Sequence, residues 1–542
     1  MPSFVGTEGP DALPGTNSAD TINGLGGDDV IGGFDGGDTI DAGAGADQVF
    51  GGTGNDTIFG RDGDDLLLGE TGADTIDGGD GADIIADNDI YSSGGFAFAL
   101  PDTSRDVLTG GAGNDALLGG YLDVFDGGSG LDVALISFVG HNGLTVDLRS
   151  LNTVGATASL PGSGSIRNVE DGISILFGDG ANTAFGSDMY EEFYGGTGVD
   201  TFNGGGGDDI LDGYDGGDIL TGGAGADLMV GGNGGDVYYI DEFDTLIENA
   251  GSGTGLDSVY VPFDYTLLEN FEWLYLIGGA INGAGNSGNN RLYGNELDNF
   301  LQGLDGQDGL YGGGGADTLE GGESYDTLDG GAGDDTLRGG AGNDWVSMGQ
   351  GSDNADGGAD FDMLDYSGTT SSVVIALTLG TATHNGLTDT FTSFETFRLG
   401  SGADTATGTS GADTIDGWLG DDIVYGGGGD DRLAGGDGSD QLIGGDGDDN
   451  LNGAGAGADI LDGGEGNDSF GAETDGASAG NNTFLGGNGS DTVSYLGTSA
   501  ILANLAAGTV LLANGSIDTL SSIHQFYGGE GADTIIGPDD GH

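Results

Sequence analysis

Cysteine and lysine are both missing from this chain. Without cysteine there is no disulfide framework, so any added stability must come from another source. Without lysine there is no P-loop, because the phosphate cradle needs that side chain. The 8 basic residues are all arginine and face 92 acidic ones, for a formal charge of −84. That imbalance reads against nucleic acid and against anionic membrane as partners, since both are bound by positive charge. Long apolar runs are missing too. No window approaches the roughly 18 uninterrupted apolar residues of a spanning helix, so no membrane insertion is expected. The opening MPSFVGTEGPDALPG has neither a basic n-region nor an apolar h-region, which reads against a secretory signal peptide of the usual kind.

Catalytic signatures are equally sparse. There is no HExxH zinc-protease helix and no GxSxG elbow between a strand and a helix. Histidine occurs four times, as His141, His384, His524 and His542, and two of these open the same pentapeptide HNGLT (141–145 and 384–388). Asn-Gly is the strongest hairpin-turn pair, so both copies read as turns rather than as catalytic sites. No catalytic residue is assigned.

Glycine (125 residues) and aspartate are what the chain has in abundance, and they are phased. Aspartate recurs every nine residues at Asp11, Asp20, Asp29, Asp38, Asp47, Asp56, Asp65, Asp74 and Asp83. A short run holds Asp106 and Asp115 with Asp123 and Asp132. Further series are Asp200, Asp209, Asp218, Asp227, Asp236, and then Asp308, Asp317, Asp326, Asp335, Asp344, Asp353, Asp362. A last one runs Asp404, Asp413, Asp422, Asp431, Asp440, Asp449, then slips by one residue to Asp459 and Asp468. In the first series an aliphatic residue follows each aspartate by two positions, from Leu13 and Ile22 to Ile76 and Ile85. Self-similarity at a short fixed period marks a solenoid. A disordered Gly/Asp linker would not keep an aliphatic in one phase of nine.

Each position in the unit has a separate task. Glycines permit positive φ and close backbone approach, so about six residues can turn tightly. The residues around the aliphatic make a short strand with that side chain inward. Two units then form one coil of eighteen residues, and stacked coils make two parallel sheets with layers about 4.8 Å apart. One aliphatic in nine residues is too little apolar burial to offset the ordering of nine backbones. Stacking also brings carboxylates of like charge together. A hard, oxygen-seeking divalent cation answers both problems, and calcium suits flexible oxygen cages of six to eight ligands better than magnesium does. Zinc would favour His or Cys, and neither recurs.

Units such as GGTGNDTIF (51–59) and GGAGNDALL (110–118) resemble the GGxGxDxUx nonapeptide of the repeats-in-toxin (RTX) family of secreted bacterial proteins. The resemblance implies an all-β parallel β-roll with calcium held between turns eighteen residues apart. On one pair it implies an ion taking Asp38 with the carbonyls of Phe34 and Gly36, and Asp56 with the carbonyls of Gly51 and Thr53. The phased aspartates are thus all candidate ligands, and the runs imply on the order of twenty calcium ions. Asn182, Glu191, Asn290, Asn299 and Asn482 stand where the phase expects aspartate, and Phe34 and Tyr214 replace a glycine at the second place of the turn. These turns are expected to bind weakly or to end a roll.

The organisation expected is a calcium roll over 1–88, a loop insertion at 89–102, a short roll at 103–137 and a β spacer at 138–180. Then come a roll at 181–240, a spacer at 241–287, a roll at 288–366, a spacer at 367–402, a roll at 403–472 and a terminal spacer with partial repeats at 473–542. Alternating stretches in the spacers, such as LTVDL, VVIAL and ILANL, read as hairpin strands. DYTLLENFEWLYLIGG (264–279) reads as a strand buried on both faces. The resemblance implies type I export to the cell exterior, with calcium and the secretion apparatus as partners. Against that, GADTIIGPDDGH is a repeat fragment rather than an acidic-then-apolar export tail. A cell-surface adhesin or surface-layer component, with a glycan or matrix partner, is the alternative. A hydrolase, sited in the spacers or upstream as a larger enzyme of which this is the tail, is a weaker one; repeats that begin within eleven residues of the first methionine read against an upstream catalytic domain.

Overall fold

The computed structural model describes residues 1–87, 90–93, 96–99, 104–248, 255–453, 455–473, 480–497 and 499–537. Among them are β-strands and two short 3-10 turns, with no α-helix. The nine-residue unit explains each strand. In Thr39–Ala44, Ile40 and Ala42 are buried while Thr39 faces solvent, the alternation that a half-buried strand requires. Glycine then turns the chain so that the next strand, Gln48–Thr53, joins the opposite sheet.

Within residues 1–262, one sheet stacks Ile22 on Ile40, Ile40 on Ile58 and Ile58 on Ile76. The other stacks Leu13, Ile31, Val49, Leu67 and Ile85 in the same parallel way. Residues 263–542 repeat the scheme, with Leu292, Leu310 and Leu328 in one sheet and Leu301, Leu319 and Leu337 in the other. Both units are therefore parallel β-solenoids in which partners lie eighteen residues apart.

The interruptions are absorbed without breaking the ladder. Across the 89–102 insertion the register jumps, so that Leu108 stacks on Ile76 and Leu117 on Ile85. Ile90–Ser93 and Phe96–Ala99 make an antiparallel pair there; the remainder of that insertion lies outside the described residues. In 138–180, Gly172–Leu176 pairs with both Val133–Ser137 and Glu191–Tyr194, so one sheet runs straight through. The second sheet changes hands, ending on Ser165–Arg167 and Thr157–Ser159 while Thr145–Asp147 starts a new one. Phe138, Phe177, Phe193 and Phe202 fill the core at this exchange.

The hairpin reading of VVIAL and ILANL holds, whereas that of LTVDL is corrected, since Thr145–Asp147 pairs parallel with Thr183–Phe185. Val373–Ala376, Thr381–His384 and Leu387–Thr392 pair antiparallel and slot into the parallel sheet between Asn354–Ala359 and Thr405–Thr407. Leu502–Asn504, Thr509–Leu511 and Ile517–Ser521 do the same further on. Asn385 and Gly386 form the first hairpin's two-residue turn, both at positive φ. The stretch 264–279 differs from expectation. It is two short strands, Tyr265–Thr266 and Trp273–Leu276, separated by a turn at Asn270 (φ 73°). Leu274 and Leu276 point inward while Trp273 and Tyr275 stay half-exposed, because a one-layer solenoid wall buries only one of its faces.

Candidate metal centres

The aspartates of the repeat stand at the turns and, apart from the half-buried Asp11, are buried almost completely. Beyond the first coil they project across to the turn of the preceding coil. Asp56 Oδ1 accepts the N–H of Asp38 at 2.7 Å, and Asp38 Oδ1 accepts that of Asp20 at 2.7 Å. The pattern recurs down the molecule, as in Asp308 to Asp326 and Asp422 to Asp440. It also runs through positions that the nine-residue count does not reach. Asp106 gives its N–H to Asp123, Asp353 to Asp389, and Asn482 to Asp518.

The second carboxylate oxygen divides the turns into two kinds. In the open turns it is buried and has no hydrogen-bond partner. This holds for Oδ2 of Asp29, Asp38, Asp47, Asp56, Asp65, Asp83 and Asp115 in the first blocks, and of Asp209, Asp218 and Asp236 in the next. It holds equally for Asp308, Asp317, Asp326, Asp335, Asp344, Asp353 and Asp362, and for Asp422, Asp431, Asp440, Asp449 and Asp468. A buried anionic oxygen without a partner is costly, and a repeated row of them favours binding of a positive counter-charge.

The surrounding donors suit that charge. A Cβ on Gly33 would press on both Asp38 Oδ2 and the Gly51 carbonyl, so these two oxygens flank one small space. The carbonyls of Phe34 and Gly36 face Gly52 and Gly54 of the next coil, while the Thr53 carbonyl already accepts the Gly36 N–H at 2.7 Å. All donors in reach are carboxylate or carbonyl oxygens, the set that calcium takes. The second turn position is in the left-handed region whether it holds Gly52 or Phe34 (φ 75°) or Tyr214 (φ 66°). Phe34 and Tyr214 therefore leave Asp38 and Asp218 Oδ2 as unpartnered as glycine does, and neither turn ends a roll.

Closed turns satisfy the second oxygen from the chain itself. Thr7 gives its N–H to Asp11 Oδ2 at 2.5 Å, Thr16 to Asp20 at 2.6 Å and Thr409 to Asp413 at 2.6 Å, each adding its hydroxyl. Gly196 and Gly400 do likewise for Asp200 and Asp404. Ser187 donates its N–H and hydroxyl to Glu191. Where asparagine replaces aspartate, its amide stands in for the cation: Asn182 Nδ2 donates to the carbonyls of Gly178 and Gly180 and to Asp200 Oδ1 at 2.8–2.9 Å. Asn290 and Asn299 reach the Phe271 and Ala280 carbonyls in the same way. At the two hairpin inserts a tyrosine hydroxyl does the work, from Tyr366 to Asp389 and from Tyr495 to Asp518, both at 2.9 Å.

Burial sets the electrostatics. Asp56, Asp308 and Asp440 are pushed up to about 6 and Asp65, Asp335 and Asp422 to about 7. Asp209 reaches about 8. Desolvation is the main cause throughout, and neighbouring carboxylates add to it against the opposing effect of the accepted N–H.

Two further side-chain clusters pack within the fold. His384 is buried, with Nε2 3.0 Å from Asp389 Oδ2 in the Tyr366 cluster. The duplicate cluster keeps tyrosine and aspartate but has Ala513 before its Asn514-Gly515 pair. The pair is thus a strut of the insert. Tyr275, Tyr293 and Tyr311 stack on one another at 4.6 and 4.8 Å with planes within 9°. Tyr293 is thus covered on both faces by its neighbours in the stack.

Sequence reading missed Asp257, Asp389, Asp491 and Asp518, since insertions move them out of the nine-residue phase. The signal was present: each is followed two residues later by Val259, Phe391, Val493 or Leu520. Glu248 carried no such signal.

No curated protein matches the chain. A family model described as the RTX calcium-binding nonapeptide repeat (4 copies) matches overlapping stretches through 5–86, 102–120, 178–238, 284–346, 399–470, 477–496 and 525–537. These cover more than half of its length, and they fall on the solenoid turns that carry the buried aspartates. This chain belongs to the family of proteins built from RTX calcium-binding nonapeptide repeats.

Proposed function

We propose that this calcium-binding RTX protein is exported from a bacterium unfolded and folds outside the cell, with no catalytic domain of its own. The observation that carries the reading is the row of buried, unpartnered aspartate oxygens, repeated turn after turn. At the low calcium of a cytoplasm those carboxylates repel one another, and the net charge of −84 keeps the chain expanded. Outside, calcium supplies the positive charge and takes the turn carbonyls as further ligands. The aspartate N–H···Oδ1 bonds and the aliphatic stack then fix the register of each new coil on the last. On the order of twenty ions per chain is the expected load, from one ion per pair of open turns. Type I export, with the secretion apparatus as partner, is the route that suits a chain able to cross only while unfolded.

Far-UV circular dichroism in excess chelator and then in millimolar calcium tests the folding step. A disordered spectrum that turns to β on adding calcium is expected; a chain already β-rich in chelator at neutral pH sinks the proposal. Expression beside a type I exporter, with the protein recovered in the medium, tests the route.

A further inference from the structure

We infer that Asp236, Glu248 and Asp257 form a further calcium site, built differently from the repeat turns and closing the 181–240 block. The inference rests on the calcium reading of the repeats, and its test separates the two. In the regular turn, the carboxylate eighteen residues on supplies the second half of the site. Eighteen residues after Asp236 the sequence has Thr254, which offers no carboxylate. Asp257 takes over instead: its Oδ1 accepts the Asp236 N–H at 2.8 Å, continuing the ladder after a three-residue slip.

Glu248 then enters from outside the nonapeptide. It follows Thr245–Ile247, a strand that pairs with Leu228–Val230 in the opposite sheet. The three residues bring carboxylate oxygens within 4.8 Å of one another. Asp236 and Asp257 are buried, and Asp236 Oδ2 has no hydrogen-bond partner. Tyr238 helps to hold the glutamate in place. It occupies the inward, aliphatic position of its repeat, and its hydroxyl donates to Glu248 Oε2 at 2.7 Å. A Cβ on Gly231 would strike both that hydroxyl and Asp236 Oδ2, which places the unpartnered oxygen beside the Tyr238–Glu248 pair.

Three carboxylates at this separation repel strongly away from water unless a cation lies among them. The donors are oxygens alone, which selects a hard ion, and the buried position favours calcium over the more reluctantly dehydrated magnesium. A third carboxylate raises the ligand charge above that of the two-aspartate turns, so this site should hold its ion more tightly than they do. It would clamp the last coil of the block, where no further repeat is available to share an ion.

Crystals of the full chain soaked in terbium, with anomalous difference maps for wild type and Glu248→Gln, give a direct test. An anomalous peak among the three carboxylates is expected in wild type, reduced at least tenfold in occupancy in E248Q, with peaks at the regular turns unchanged. No wild-type peak here overturns the site, and an equal peak in E248Q overturns the role of Glu248. Should E248Q fail to fold, Tyr238→Phe keeps the core volume and removes the hydroxyl donated to Glu248; a peak of undiminished height there removes the positioning role. In solution, native mass spectrometry under rising chelator should show this ion among the last to leave, and loss in the first step would contradict the tighter binding. Empty regular turns beside a filled three-carboxylate site would instead sink the calcium reading of the repeats.

Discussion

Calcium removal and acidification act on the same buried carboxyls in opposite directions. Asp65, Asp218, Asp326, Asp335, Asp353, Asp422 and Asp459 are each pushed from 3.8 to about 7, with burial the main cause. None is more than 2% exposed. In the unfolded chain each returns to the ordinary value. Between pH 3.8 and about 7 the metal-free fold therefore binds protons that the unfolded chain has released, and its stability falls as pH rises through that window. The mismatch costs the metal-free fold about 4 kcal/mol per carboxyl at pH 7 and about 2 kcal/mol at pH 5. Several such carboxyls in one fold together disfavour the metal-free state at pH 7 far more than at pH 5. The chelated chain should thus be unfolded at pH 7.5 and gain β structure on acidification to pH 5, still above the pI of about 4.1. With calcium present the sign reverses, because protons and the ion compete for the same oxygens. The calcium midpoint should rise as pH falls from 7 to 5.5. Circular dichroism with chelator across pH 5–7.5 reads the first effect and calcium titrations the second. A chelated chain equally folded at both pH values, or a midpoint indifferent to pH, refutes the argument.

Further outcomes follow from individual turns. Asp56→Asn removes a carboxylate from an open turn and should lower the bound calcium counted by native mass spectrometry; Asp20→Asn, in a closed turn, should leave that count unchanged. Gly54 sits at φ 138°, and a Cβ there would overlap the Gly36 carbonyl. Gly54→Ala should therefore destabilise the calcium-loaded protein by about 2–4 kcal/mol in thermal melts. Leu319 is fully buried between Leu301 and Leu337, and Leu319→Ala should cost about 2–5 kcal/mol in the same assay. Asn182→Asp puts a carboxylate against the Gly178 and Gly180 carbonyls; it should weaken the protein at low calcium and regain stability at high calcium, read as a steeper calcium dependence of the melting temperature.

The sequence is most legible where one residue has one task. The aliphatic in each repeat predicts its own burial, and the eighteen-residue register follows from two units per coil, so the two sheets and their core were readable in advance. The repeat aspartates were equally readable as buried turn residues. Two things were not. Whether a turn is open depends on the backbone at its second position. Thr16 holds its N–H toward its own aspartate, whereas Phe34 adopts the conformation of glycine, so bulk was the wrong criterion and φ the right one. The other is insertion length. A hairpin or a three-residue slip moves the next aspartate out of phase, and only the D-x-apolar pattern at Asp257, Asp389 and Asp518 still marks it.

The closed turns are not scattered. Asp11 and Asp20 open the first block, Asn182, Glu191 and Asp200 the 181–240 block, Asn290 and Asn299 the 288–366 block, and Asp404 and Asp413 the 403–472 block. Four of the five blocks thus begin with turns whose second oxygens are satisfied by backbone, hydroxyl or amide donors; the short 103–137 block, with open Asp115, does not. Such turns carry no unpaired carboxylate oxygen into the folded state, so they escape the electrostatic cost that the open turns incur without calcium. They also present the strand edges and aspartate N–H groups on which the next coil sets its register: Asp20 donates to open Asp38, and Asp413 to open Asp431. Adding one coil to an existing edge avoids most of the loop-closure entropy of starting a sheet anew. On the calcium reading proposed above, the sequence separates two roles that a uniform repeat would merge, with turns satisfied by the chain's own donors at the start of four blocks and turns with an unpartnered carboxylate oxygen where each grows.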